Sequence, residues 1–236
     1  MGLAVRPLSP EVLKGTELFA DVPAEGLAEA WACGRVRHLP KHQTVFTQGE
    51  PAERAHALIE GRIRIGQTDH SGAQLVVRFI GPGEMFGTVG LFTDHLYPAH
   101  AETVMDSIEV SWTEAALLDL IVRYPRIALN IVGVIGARLV EAQERLREVS
   151  TQRVERRIAN ALLRLAVQAG HIGNEGTAID FPLSRKDVAE MCGSTLHTVS
   201  RTLTAWEKAG AIATSQQRVT IRDIADIRRR ADDSET

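Results

Sequence analysis

Residues 183–212 read LSRKDVAEMCGSTLHTVSRTLTAWEKAGAI, and this stretch decides what kind of domain ends the chain. Ser184, with Asp187 three residues on, has the capping-box pattern that starts a short helix. Val188, Ala189 and Met191 give that helix an apolar face, and Gly193 breaks it with a residue that tolerates positive φ. Thr195 can cap a second helix, in which Leu196, Val199, Leu203 and Trp206 recur at helical spacing toward a core. His197, Thr198, Ser200, Arg201 and Thr202 are left on the outer face near its N-terminal end. A helix-turn-helix carries its base-reading side chains there. An ordinary helical hairpin with a solvated polar face would share this spacing. Two features weigh against it. The outer face offers hydroxyls and an Arg but no acid before Glu207, which suits a polyanion. Two β-prone runs, 211–214 and 218–221, then flank Ser215-Gln216-Gln217, the layout of a winged helix.

Upstream, Arg153–Ile158, Ala161–Leu163 and Leu165–Ala166 read as an amphipathic helix ended by Gly170 and a Gly173–Gly176 loop. The run 125–147 has no internal Pro, and Ile135, Leu139, Ala142, Leu146 and Val149 keep heptad spacing. A single amphipathic helix packed on its own domain would look the same. A heptad helix leading into a nucleic-acid-binding unit is also what a two-fold dimer would use. From about 16 to 114 the chain is β-rich: Thr44–Phe46, His56–Ile59, Arg62–Ile65, Leu75–Phe79 and Ser107–Ser111 alternate with Gly-containing turns, as in a sandwich or barrel. Ala24–Cys33 reads as a short helix before it. The fold class is therefore α+β, with a β-rich domain (a β-roll) over 1–124, a helix of dimerisation spacing over 125–150 and a winged helix-turn-helix over 151–236. After Arg222 come a short helix, the run Arg228–Arg230 and an acidic end expected to be disordered.

The net charge of −3 is unevenly placed. From Thr151 onward 13 Lys/Arg stand against 11 Asp/Glu, a net +2, whereas the first 150 residues carry 14 against 19, a net −5. The small basic bias lies where a nucleic-acid footprint needs it. No apolar run approaches the roughly 18 residues of a membrane helix, and residues 1–20 lack the build of a signal peptide, so the expected location is cytoplasmic, away from membranes. Cys33 and Cys192 are the only cysteines, too few for a disulfide framework, a four-Cys zinc site or a four-Cys iron–sulfur cluster.

A β-roll, a long helix and a winged helix in that order resemble the Crp/Fnr family of bacterial transcription regulators. Ser184–Arg201 carries most of the resemblance, with Gly49-Glu50 and the segment FGTVGLF at 86–92 as further matches. The resemblance implies a homodimer on double-stranded DNA with a palindrome of TTG and CAA-like arms, and RNA polymerase as a partner. It implies base reading by His197, Ser200 and Arg201, and phosphate contacts from Ser184, Arg185 and Thr198. A guanidinium at Arg201 matches O6 and N7 of guanine bidentately. The family most often has Glu where this chain has His197. The arrangement LHTVSR at 196–201 is similar to the Nnr-type branch, whose members respond to nitric oxide and govern nitrogen-oxide respiration.

The sensor follows the family less closely. Cyclic-AMP-binding relatives place a Glu after the first Gly of the 87–90 segment and an Arg-Ser or Arg-Thr pair soon after. Thr88, Pro98 and Ala99 stand there in this chain. A buried cyclic phosphate would lack its counter-charge, so cyclic AMP is not expected. Haem remains open as a gas-sensing cofactor, with six His in this half (His38, His42, His56, His70, His95 and His100). Thr88, His95, Tyr97 and His100 are the candidate effector-pocket residues. A regulator with no small-molecule effector, or a different one, is the alternative. A cupin-like metalloenzyme is the alternative of another class, but no His-x-His pair and no nucleophile–base constellation occur, so no catalysis and no metal site are expected.

Overall fold

A computed structural model describes residues 8–232, so the last four residues of the acidic end lie outside it. The first elements are two 3₁₀ turns, Pro10–Gly15 and Glu17–Phe19, and α1 (Ala24–Cys33). Eight strands follow: β1 (Arg35–Leu39), β2 (Thr44–Phe46), β3 (Arg54–Glu60), β4 (Ile63–Thr68), β5 (Gln74–Ile80), β6 (Met85–Phe86), β7 (His100–Thr103) and β8 (Ser107–Thr113), with the one-turn α2 (Thr88–Leu91) after β6. They form two four-stranded sheets with the orders β1-β8-β3-β6 and β2-β7-β4-β5. β1, β6 and β7 were not foreseen. β1 reads Arg-Val-Arg-His-Leu and β6 is only two residues long, so neither shows an apolar alternation.

Two compact units emerge. One takes the chain up to Ile63 together with Ile80–Leu139, and the other takes Arg64–Phe79 together with the chain from Val140 onward. In the first unit Trp112 is fully buried, meets Phe19 edge-on at 4.9 Å, and donates its indole N–H to the Ala30 carbonyl at 2.7 Å. That bond lets a large ring enter the core without an orphaned donor. Gly61 turns β3 into β4 at φ +95, where a Cβ would collide with Ser107 Oγ and lie 2.6 Å from the Asp106 carbonyl.

After α3 (Glu114–Arg123) comes α4 (Arg126–Thr151), 26 residues long. The heptad positions Ile135, Leu139, Ala142, Leu146 and Val149 are all exposed, Leu139 at 58% and Leu146 at 68%. The apolar side chains of the heptad stripe thus lie at the surface of the helix rather than in a core.

The remaining elements are α5 (Val154–Ala169), β9 (Gly170–Gly173), β10 (Gly176–Ile179), α6 (Arg185–Met191), α7 (Leu196–Lys208), β11 (Ile212–Ser215), β12 (Arg218–Ile221) and α8 (Ile224–Asp232). The Gly173–Gly176 segment expected as a loop is the turn of the β9–β10 hairpin. That hairpin extends the wing into a four-stranded sheet of order β11-β12-β10-β9. Ile158, Leu162 and Leu165 of α5 face a core with Phe181, Val188, Val199, Leu203 and Trp206. Leu196 is the exception to the expected core face. It is 51% exposed, because as the first residue of α7 it projects beyond the packed part of the helix.

Candidate nucleic-acid interface

The start of α6 is built by its own sequence. Ser184 Oγ accepts from the Asp187 N–H at 3.0 Å, and the Asp187 carboxylate accepts from the Ser184 N–H at 2.9 Å, a complete capping box. Gly193 turns the chain at φ +56. Thr195 then caps α7 by accepting from the Thr198 N–H at 3.2 Å, and the two threonine hydroxyls lie 2.9 Å apart. The hydroxyls of Ser184 and Thr198 are thus engaged within the fold, and shared use with a phosphate would be secondary to capping.

Val199, Leu203 and Trp206 anchor α7, which turns His197 and Arg201, one helical turn apart, outward to solvent with Ser200 half-buried beside them. Among the described residues neither His197 nor Arg201 has a hydrogen-bond or ion-pair partner. Arg185 behaves differently. Its guanidinium donates to Thr204 Oγ1 at 3.0 Å and the Ser200 carbonyl at 3.3 Å, and pairs with Glu207 at 3.2 Å. Glu207 also accepts from the Thr214 hydroxyl of β11. Arg185 therefore neutralises the one acid on α7 and ties α6, α7 and the wing together, a role that spacing could not show. To touch a phosphate it must share or leave that pairing.

A cleft of about 270 Å³ runs between the helices and the wing, lined by Ser184, Arg185, Thr214, Gln216, Gln217 and Arg218. The wing turn is pinned to the start of α6 by the Leu183 N–H, which donates to the Gln217 carbonyl at 2.7 Å. Two basic side chains, hydroxyls and carboxamides around one groove are suited to a phosphate backbone. Burial pushes the Cys192 thiol up to about 12, so this cysteine of the helix pair is inert.

The β-roll interior is organised otherwise. Phe46 and Tyr97 stack with centroids 3.8 Å apart, and His56 stacks on Phe86 at 4.9 Å. His56 Nδ1 lies 3.0 Å from Glu109, whose carboxylate also accepts from Arg37 Nε at 2.6 Å and is wholly buried. Burial pushes the Glu109 carboxyl up, but the hydrogen bond and charge of His56 and the charge of Arg37 outweigh it and hold it below the usual range. Tyr97 donates its hydroxyl to the Arg54 carbonyl at 3.1 Å. Of the candidate pocket residues, Thr88 and Tyr97 are buried here. His95 is not: its ring is exposed and lies 3.8 Å from Glu114. His100 is half-buried between the buried Ala99 and Ala101, so strand alternation aims it away from the side they face. The buried histidine is His56, which the sequence did not distinguish from the other five. Its partner Glu109 is 53 residues away. Among the described residues no three His, Cys, Asp or Glu side chains converge as a metal site would need.

Residues 36–124 match the family described as "Cyclic nucleotide-binding domain", and residues 156–230 match the "Crp-like helix-turn-helix domain". The chain belongs to the Crp/Fnr family of DNA-binding transcription regulators. It is 27% identical over 221 residues to the "CRP-like cAMP-activated global transcriptional regulator" of Mycobacterium tuberculosis, covering 94% of this chain and 99% of that one. It is 29% identical to the "Nitrogen fixation regulation protein FixK" of Azorhizobium caulinodans, over 89% and 84% of the two chains. FixK2 from Bradyrhizobium japonicum shares the fold with a TM-score of 0.75 at 20% identity, over 86% and 98% of the two chains. Within this Crp/Fnr chain, the outward face of α7 and the cleft beside the wing form the candidate DNA-contacting surface, and no single described helix is long and apolar enough to cross a membrane.

Proposed function

We propose that the chain reads a two-fold symmetric site as a homodimer, with domains over 1–124, 125–150 and 151–236 serving as sensor, dimerisation helix and DNA reader. The observation that carries this reading is the pair His197 and Arg201, exposed and unpartnered on α7 while Glu207 is held by Arg185. Arg201 takes the guanine of a TTG…CAA-like arm, Ser200 a neighbouring base edge, and His197 the position where a glutamate would accept from cytosine. The exposed apolar stripe of α4 supports the dimer, and two recognition helices then meet successive major grooves roughly 34 Å apart. RNA polymerase is the further partner of such a regulator.

The interior of the β-roll favours an effector other than a cyclic nucleotide, or none. Thr88 is buried where the family places an acid for the ligand, and the Phe46 and Tyr97 rings lie against the preceding Gly87. Two of the histidines considered for a haem already have neighbours of their own. His95 points to Glu114, and His56 is locked between Glu109 and the aromatic rings. A nitric oxide response of the Nnr type therefore rests on the recognition helix alone.

Selection of bound duplexes from a random pool tests the proposal. It should return a palindrome, and a motif without two-fold symmetry would overturn it. Arg201→Ala should lower the specific-to-nonspecific ratio by about 1–3 kcal/mol and relax one base pair per half-site. An unchanged ratio would remove Arg201 as the reading residue.

A further inference from the structure

Arg157, in the first turn of α5, donates to four main-chain carbonyls. Its Nε reaches Cys192 at 2.9 Å, Nη1 reaches Gln152 at 3.0 Å and Val149 at 3.3 Å, and Nη2 reaches Gly193 at 3.4 Å. Val149 lies in the last turn of α4 and Gln152 just past it, while Cys192 and Gly193 lie in the turn between α6 and α7. Carbonyls at a helix C-terminus lack intrahelical donors and carry the negative end of the helix dipole. One planar cation thus occupies the place where two helix ends point their partial charge. A lysine, a compact point charge without the fork, cannot span both pairs.

The rest of α5 continues the link. Arg164 pairs with the nearly buried Glu148 of α4 at 2.6 Å, and Asn160 donates to the Gln152 side chain at 3.0 Å. On the other side Glu155 accepts from the Trp206 indole N–H of the recognition helix at 2.9 Å and from Arg230 of α8 at 3.3 Å. No bond in this set touches His197, Ser200 or Arg201. We infer that Arg157 is a positioning residue that fixes the angle between the end of α4 and the recognition helix, and so sets the half-site separation at which two copies can bind together. This rests on the homodimer proposed above.

Full-length protein and duplexes carrying a selected half-site, alone or as an inverted pair, provide the test. The pair is built at the selected separation and with one or two base pairs added or removed. Each added base pair turns one half-site by about 35° and moves it by about 3.4 Å. The wild-type chain should prefer one separation by at least about tenfold, and loss of two or more charged hydrogen bonds in Arg157→Lys or Arg157→Gln should cut that to about threefold or less. Affinity for the single half-site should stay within about threefold of wild type. Thermal melting of both variants is followed in parallel, and Arg157→Lys keeps the charge if the glutamine variant folds poorly. Undiminished separation preference in a folded variant overturns the inference, as does a single-half-site loss as large as the paired-site loss. A wild-type chain indifferent to separation fails earlier, at the homodimer itself, and is recognised without any variant.

Discussion

The outer face of α7 and the interior of the β-roll are both polar, yet their polar groups are in opposite states. On α7, the His197 and Arg201 side chains stand exposed and have no partner among the described residues. In the β-roll, Glu109 is saturated by Arg37 and His56, and Tyr97 is closed onto the Arg54 backbone. A surface that recognises another molecule keeps its hydrogen-bonding capacity available. An interior that satisfies itself has little left to offer a ligand, and the cost of disturbing it falls on stability.

The sharpest way to break this contrast is to unbalance the β-roll. Glu109→Ala should cost about 3–5 kcal/mol by leaving Arg37 and His56 without their carboxylate. Melting of the β-roll should drop while binding to a single DNA half-site persists; loss of both together would show that the two regions do not behave separately. The same carboxylate gives a pH signature. Its value in the fold lies below the ordinary 4.5, so its contribution is complete above that value and is lost as pH falls through the lowered one. Acid titration of Glu109→Gln should lack that part of the transition.

Phe46→Ala should cost about 3 kcal/mol, since Phe46 is 7% exposed and stacks on Tyr97. The variant should also take up small apolar molecules that wild type refuses, seen as a melting shift on adding benzene. Equal uptake by both would mean the wild-type interior already has room. The smallest effect belongs to the reader. Ser184→Ala should lose about 1 kcal/mol of stability through the cap and leave the salt dependence of DNA binding nearly unchanged. A slope reduced by a full contact would instead make Ser184 a phosphate ligand.

The helix pair was legible because its signals are local. Ser184 with Asp187, Thr195 as a cap, and the Val199–Leu203–Trp206 spacing all act within one or two turns, and both caps form. Leu196 misled because periodicity carries no information about where packing stops. Arg185 was assigned to phosphate alone because its partner Glu207 is 22 residues away and on another helix. In the β-roll the decisive contacts are longer still: Arg37 and Glu109 are 72 residues apart. β1 reads Arg, Val, Arg, His and Leu, with all three polar residues at half-buried or exposed positions, which hides it from any search for apolar runs.

The wing turn carries a consequence of its own. Gln216 and Gln217 both hold left-handed backbone, at φ 49 and 62, a conformation that glycine or asparagine would take with less strain. Two long carboxamides at that tip, each able to donate and accept, give the end of the hairpin hydrogen-bonding capacity. A glycine pair there would turn with less strain and present no side chain to a neighbouring molecule.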